Sequence, residues 1–573
     1  MKRKALLVLG LSVTLACTNA VSVYAAGGGN HRIETYRNNN NNVVAAGNEH
    51  TDITGDVSVT GDGEIAVKTS GNAVLNLKGN VSVEGDRTIG VESSYNSSVS
   101  VDGNVSASRG AEYGVKSYDS SSVKVSGDIT AEGEKTTGAS ARDASSSVTV
   151  GGTVKADGLR ATGIYSEGEV TVKGNVEVDG IGAKGINSTQ GVVNVNGNVK
   201  VSGTKSNSGD ETVGISASSS EVNVKGDVTS DGKGIHIIKS SSWKNSKVTV
   251  DGSVTGSSGV VINNGSDVTV GGAVTATDGT GLDITLNQLT EQGKINLGTL
   301  NVKKEGETAI LLDVSKVSIH DIDDFIQAIP EVNLFEINVK QGDYFGINDG
   351  TDEDTIKGTG ILKNEAADKI LKQKVNYHLR AENTSNGTIS LEHTKATEGT
   401  TVKFYVKAVD GYQVKGVSAG KATVIDNGDG SYSIIVPRGG GVNISAIIEA
   451  VMKEEQGGQS AASNGENTAA VEKYSASFVK YAAGQKQAQQ LIQSVAPGGN
   501  CVVELEDFVS FNRKTLEALA KRPDVSMTVI YKWNGVKYKV TIPAGYYVLD
   551  LLNEDGYCGC LYLNAIFGSE VVE

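Results

Sequence analysis

One phrase, Val-x-Val-x-Gly-[Asp/Asn]-Val, returns through the first half of the chain and limits what it can fold into. It reads Val99-Ser-Val101-Asp-Gly103-Asn-Val105 and, one repeat later, Val123-Lys-Val125-Ser-Gly127-Asp-Ile129. Its glycine stands at Gly55, Gly79, Gly103, Gly127, Gly152, Gly174, Gly197, Gly226, Gly252 and Gly272. The intervals are 24, 24, 24, 25, 22, 23, 29, 26 and 20 residues, a period of about 24. Self-similarity at that length is the mark of a solenoid, in which each repeat buries its apolar side against the next.

Each repeat holds three strand-like pieces. The first is Val-x-Val, as in Val148/Val150 or Val193/Val195. A Gly-[Asp/Asn/Thr/Ser] corner follows, expected because glycine reaches positive φ freely and Asn or Asp tolerates it. The second piece is Val81/Val83 or Val176/Val178, and the third carries Gly-aliphatic pairs such as Gly114-Val115, Gly163-Ile164 and Gly185-Ile186. Period-two alternation turns Val and Ile inward and Ser, Thr, Lys, Glu, Asp and Asn outward. This predicts a mainly β chain whose residues 51–345 form a right-handed parallel β-helix, with ten marked coils rising about 50 Å. Apolar spacing over Ser318 to Ile329, before Pro330, predicts a short helix covering the open end of the solenoid.

A formal charge of −15 argues against a nucleic-acid binder, which needs a basic footprint, and against electrostatic docking on anionic lipid. Lys2, Arg3 and Lys4, the apolar run Ala5 to Ala16, and Val23-Tyr24-Ala25 read as a signal peptide over 1–25. A lipoprotein reading through Cys17 lacks the leucine expected three residues upstream. No second apolar run approaches the ~20 residues that span a bilayer, so no integral membrane segment is expected in the mature chain. Residues 26–50 are a polar lead-in or a cap on the first coil. Beyond the leader stand Cys501, Cys558 and Cys560, an odd number that permits one disulfide. Either a Cys501 bridge or a buried structural role is expected of them.

The remainder divides into a linker at 346–376, with a helical turn capped by Asn364, a β domain at 377–450, a polar linker at 451–472 and an α/β domain at 473–573. The β domain holds Gly387-Thr-Ile-Ser, Thr397-Glu-Gly-Thr-Thr-Val402, Asp410-Gly-Tyr-Gln-Val414, Asn427-Gly-Asp-Gly-Ser-Tyr432 and Val436-Pro-Arg-Gly-Gly-Gly-Val442. In these it resembles the bacterial repeat domain of the internalin B-repeat type, found in Firmicutes surface proteins. The resemblance implies a small β spacer in a secreted or wall-associated protein, with no catalytic residues to carry over. The last domain loosely resembles C-terminal modules of such proteins in Ala496-Pro-Gly-Gly, Leu516 to Asp524 and Tyr557-Cys-Gly. There, Gln485 to Val495 reads as a helix, Ser510 as the cap of a helix over Asn512 to Lys521, and Asn534-Gly535 as a hairpin turn.

Motifs that mimic sites have simpler explanations. Gly180-Ile-Gly182-Ala-Lys-Gly185 matches a dinucleotide fingerprint in letters, but no helix is predicted after it, and no cofactor is expected. Asp426-Asn-Gly-Asp-Gly430 joins two strands and reads as a turn rather than a calcium loop. Insertions in a solenoid fall on one face, often the binding face. The two off-length coils therefore make Lys205, Asn207 and Asp210, and Trp243 and Lys244, the candidate binding loops. The expectation is an exported, adhesin-like structural protein at the cell surface, contacting carbohydrate or a matrix protein. The alternative is a polysaccharide lyase or glycosidase, which needs converging carboxylates that the outward positions do not supply.

Overall fold

The computed structural model describes residues 42–203, 211–238, 245–263, 265–287, 293–319, 321–382, 384, 386–451, 476–505, 510–533, 536–546, 548–553 and 556–572. The leader, Lys205, Asn207, Asp210, Trp243, Lys244 and the Asn534-Gly535 turn lie outside them. The chain forms two compact units: 1–382 with 389–406 and 417–446, and 447–573 with 383–388 and 407–416.

Three long sheets make the first unit a parallel β-solenoid. Sheet 1 takes the Val-x-Val strand of every coil, from His50–Thr54 to Val375–His378; sheet 2 takes the strand after the glycine corner, from Val57–Thr60 to Glu336–Val339; sheet 3 takes the Gly-aliphatic strand, from Val43–Ala46 to Phe345–Asn348. They contain 14, 12 and 13 strands, the fourteenth of sheet 1 being the antiparallel Lys395–Thr397 added after the last coil, so the solenoid exceeds the ten marked coils. Register is strict: Val99 pairs with Val123, Val123 with Val148 and Val148 with Val170. All four are buried, and each buried valine contributes about 1.5–3 kcal/mol.

The glycine corners exist for a reason other than the one expected. Gly55 and Gly79 have positive φ, but Gly103, Gly127, Gly152 and Gly174 do not. What forbids a side chain is the coil beneath: a Cβ on Gly103 would lie 2.2 Å from the Gly79 carbonyl oxygen. The residue after each glycine ties neighbouring coils together. Asn80 N–H donates to Asp56 Oδ1 at 2.7 Å, Asn104 N–H to Asn80 Oδ1 at 2.9 Å, and Asp128 N–H to Asn104 Oδ1 at 2.8 Å. The ladder continues through Thr153, Asn175, Asn198, Asp227 and Ser253. It satisfies backbone donors that a turn would otherwise leave unpaired. The glycine of each Gly-aliphatic pair has a different task. It faces the interior, where a Cβ on Gly185 would lie 2.5 Å from Val199 Cγ1. The interior also departs from an all-aliphatic set, since Thr69 and Ser93 are buried in sheet 3 and share a 2.9 Å hydrogen bond.

The solenoid continues past 345. Helix α1 (Ile322–Ala328) and helix α2 (Lys363–Lys374) are insertions in successive coils, both between a sheet 3 strand and the following sheet 1 strand. α1 is thus a corner insertion rather than a lid across an open end. The supposed linker at 346–376 belongs to the last coil: α2 buries Ala366, Ala367, Ile370 and Leu371, and Val375–His378 rejoins sheet 1. Its N-cap is Leu362, with no side-chain cap, so Asn364 lies inside the helix. Two small sheets follow within 380–450, and Asp426 to Gly430 turns between antiparallel strands as expected. The Gly439-Gly440-Gly441 run is more than a turn. All three have positive φ, and a Cβ on Gly440 would lie 2.3 Å from the Tyr377 ring. There the backbone meets the solenoid, Gly441 N–H donating to the Phe335 carbonyl at 3.0 Å.

In the second unit, helices α3 (Ala476–Ser494) and α4 (Arg513–Ala520) accompany a sheet ordered Asn500–Leu505, Ser526–Trp533, Val536–Ile542, Glu570–Val572. The α4 cap is Asn512, whose Oδ1 accepts from Thr515 N–H at 3.0 Å; Ser510 sits in a strand opposite Gly559. Buried Gln485 fixes this junction, donating to the Ser510 carbonyl and accepting from Asn512 N–H and Thr515 Oγ1.

Cys501, Cys558 and Cys560 are free and buried in this structure, which places them in the buried arrangement and does not form the Cys501 bridge. All three sit in one apolar core with Met527, Val529 and Tyr531. Burial pushes the Cys558 thiol up to about 12 and raises Cys501 and Cys560 as well, which disfavours the reactive thiolate in the folded domain. A thiol reagent is therefore expected to label these three cysteines only as urea unfolds the domain. Peptide mapping that finds any of them labelled promptly in the native protein would contradict this packing.

Candidate functional site

The two off-length coils bracket one surface. The 204–210 insertion leaves the chain between sheet 2 and sheet 3, just before the sheet 3 strand Val213–Ser218. The 239–244 insertion leaves it just after the neighbouring sheet 3 strand Lys233–Ile237. Their described anchors, Glu211 and Ile238, both line an open groove of about 600 Å³ on the outer face of sheet 3.

Register builds this face from residues far apart in sequence. One outward row runs Lys68, Glu92, Lys116, Ser140, Tyr165, Asn187, Ser216, His236. A second runs Tyr113, Thr137, Thr162, Lys184, Val213, Lys233. Arg160, Thr162, Lys184, Asn187, Ser216 and His236 line the groove.

Beside the groove lies a tyrosine cluster. Between residues 42 and 238 the sequence has four aromatic residues, Tyr95, Tyr113, Tyr118 and Tyr165. All four belong to sheet 3 strands or to the corner that follows them. Arg142 donates to Tyr113 Oη at 2.5 Å and lies 5.0 Å from the Tyr165 ring centre. Lys116 lies over Tyr113 at 5.1 Å and Tyr118 at 4.9 Å, cation–π contacts worth about 0.5–1 kcal/mol each at a surface. Tyr95 meets Tyr118 edge-on at 6.4 Å. The outer face of sheet 2, by contrast, carries a Thr130, Lys155, Glu177, Lys200 row without aromatics.

Tyr95 is held against its own preference. It is 59% exposed and has φ of +54°, a left-handed conformation that Gly71 fills one coil earlier. A bulky side chain there costs about 1 kcal/mol, and such strain clusters at functional positions.

The carboxylates on this face are engaged. Glu92 takes Lys68 at 3.0 Å and Lys116 at 3.6 Å, Glu211 takes Lys233 at 2.6 Å, and Glu167 accepts from Tyr165 Oη at 2.5 Å. Burial, with Lys233 beside it, holds the His236 imidazole down to about 4, so it is neutral at pH 7. Asp283 stands apart, half-buried and two sheet 3 strands beyond His236. Its Oδ1 has no hydrogen-bond partner among the described residues, and burial, then Asp313, raises its pKa. Among the described residues no three His, Cys, Asp or Glu side chains gather as a metal site, and no helix is long and apolar enough to cross a membrane.

The sequence pointed to the insertions, and Lys205, Asn207, Asp210, Trp243 and Lys244 lie outside the described residues. It did not single out the tyrosines, because their spacing of 18, 5 and 47 residues shows no period. No family model, curated protein or solved structure matches this chain.

Proposed function

We propose that the protein is an exported, non-enzymatic surface or secreted protein whose solenoid displays the outer face of sheet 3 to carbohydrate. The observation that carries the reading is the gathering of Tyr95, Tyr113, Tyr118 and Tyr165 on one face of an otherwise aromatic-free stretch. Flat rings beside an open groove with convergent Arg, Lys, Asn, Ser and His groups suit saccharide rings, which stack on aromatics and hydrogen-bond at their edges. The exported, adhesin-like part rests on the leader-like residues 1–25 and on the surface-protein resemblance of 377–450, of Firmicutes type.

A glycan-array screen of the purified protein, with matrix proteins alongside, tests this directly. Tyr95→Asn is expected to weaken glycan binding about tenfold or more, the scale of losing an aromatic anchor. Because Asn tolerates left-handed φ, the same change is expected to leave the urea midpoint unchanged or higher. Binding that survives both Tyr95→Asn and Tyr118→Ala would remove the face from consideration. Asp283 gives the hydrolytic reading its one foothold, a carboxyl with a raised pKa. Release of reducing ends from polysaccharide, abolished by Asp283→Asn, would replace the binding reading with that one.

A further inference from the structure

We propose that the ligand of this face is an anionic saccharide, an extended chain bearing carboxylate or sulfate groups, bound between Arg142 and Lys184. The proposal rests on the saccharide reading above and specifies its chemical class.

Two cations carry it. Lys184 lines the groove and stands in register between Thr162 and Val213 on sheet 3. Among the described residues it has no carboxylate partner. Arg142 is exposed and holds Tyr113 and Tyr165 through its hydrogen bond and ring contacts, and it too has no carboxylate partner among the described residues. Of the neighbouring acids, Glu92 is held by Lys68 and Lys116 and Glu211 by Lys233, while Glu167 accepts from Tyr165 Oη and makes no ion pair with Arg142 among the described residues. Two cations without an ion-pair partner among the described residues thus stand on either side of Tyr165, in a chain whose formal charge is −15.

The spacing suits a polymer. Arg142 follows the strand Thr137–Ala141, and Lys184 opens the strand Lys184–Thr189, two strands on in sheet 3. At the strand spacing of about 4.8 Å they stand roughly 10 Å apart along the solenoid axis, and the register, which sets Arg142 level with Thr189, adds about 17 Å across the sheet at about 3.3 Å per residue. One chain crossing both would present charged groups to each, with Tyr165 and Asn187 between them. Anionic groups met there would form charge-assisted hydrogen bonds, stronger than those a neutral hydroxyl makes. His236, which also lines the groove, is neutral at pH 7 and so offers one ring N–H donor but no positive charge.

The test is titration calorimetry of the full chain with three hexasaccharides: an oligogalacturonate, a heparin-type sulfated oligomer and a neutral galactan. At least one anionic oligomer is expected to bind about tenfold tighter than the galactan at low salt, with the advantage shrinking as salt rises. The two anionic arms show whether carboxylate or sulfate is preferred. Lys184→Gln and Arg142→Gln together should erase the anionic preference while leaving the thermal midpoint in place. Galactan binding as tightly as both anionic oligomers overturns the charge inference alone, as does an anionic preference that persists in the double variant. If none of the three binds, the saccharide reading falls with it.

Discussion

Gly103→Ala is expected to lower the stability of the solenoid by about 3 kcal/mol, the upper end of what one inserted methyl costs in packed structure. The new Cβ would lie 2.2 Å from the Gly79 carbonyl oxygen and 2.6 Å from its carbon, both backbone atoms that no rotamer change can move. Relief requires the coils to part, and parting breaks the Asn104 N–H to Asn80 Oδ1 bond at the same corner. The informative control is Gly63→Ala. Gly63 has φ of +71° but nothing within 4 Å of the added methyl, so it pays conformational strain alone, about 1 kcal/mol. Urea unfolding of the two variants separates close approach from backbone conformation as the reason for glycine. Equal losses, or a larger loss at Gly63, would show that the stacking account of the corner is wrong.

That comparison also shows where sequence reading succeeds and where it stops. Val99, Val101 and their equivalents announce the strands because alternation and a fixed period are both one-dimensional signals. The glycine corner was located correctly and explained incompletely, since the obstructing atom on Gly79 is 24 residues away in sequence and one strand away in space. The tyrosine face was not legible for the same reason. Tyr113 and Arg142 are 29 residues apart and meet only because successive sheet 3 strands stack in register. The insertion at 239–244 was read as a departure from the period, and α1 from apolar residues at helical spacing before Pro330. The period could not reveal that both leave from the corner between sheet 3 and sheet 1, or that α2 does the same. The cysteines could be counted but not paired, because Cys501 turns inward by alternation along its strand whether or not a partner waits there.

Asp349→Asn is expected to cost about 3 kcal/mol at neutral pH, as removal of one partner from a buried ion pair does. Asp349 follows the last sheet 3 strand and is 6% exposed. Its Oδ1 meets Lys363 Nζ at 2.7 Å and accepts from Thr351 N–H and Oγ1, while Oδ2 accepts from Lys357 N–H at 2.7 Å. One carboxylate therefore fastens the 349–363 loop and the first residue of α2 to the last coil. Burial by itself would raise its pKa, but the Lys363 ammonium and the backbone and Thr351 donors outweigh burial and hold it well below the usual carboxylate range. A depressed folded pKa makes the contribution complete above the unfolded value of about 4, and it is lost as pH falls through the folded value. The stability gap between wild type and Asp349→Asn should thus be constant from pH 7 to 5 and narrow steadily from pH 4 toward pH 2. Hydrogen exchange of the α2 amides should rise in the variant at pH 7, since Lys363 would lose the carboxylate that anchors the helix start. A gap that stays the same width at pH 2.5 as at pH 7 would mean that the charge on Asp349 does not hold α2 to the last coil.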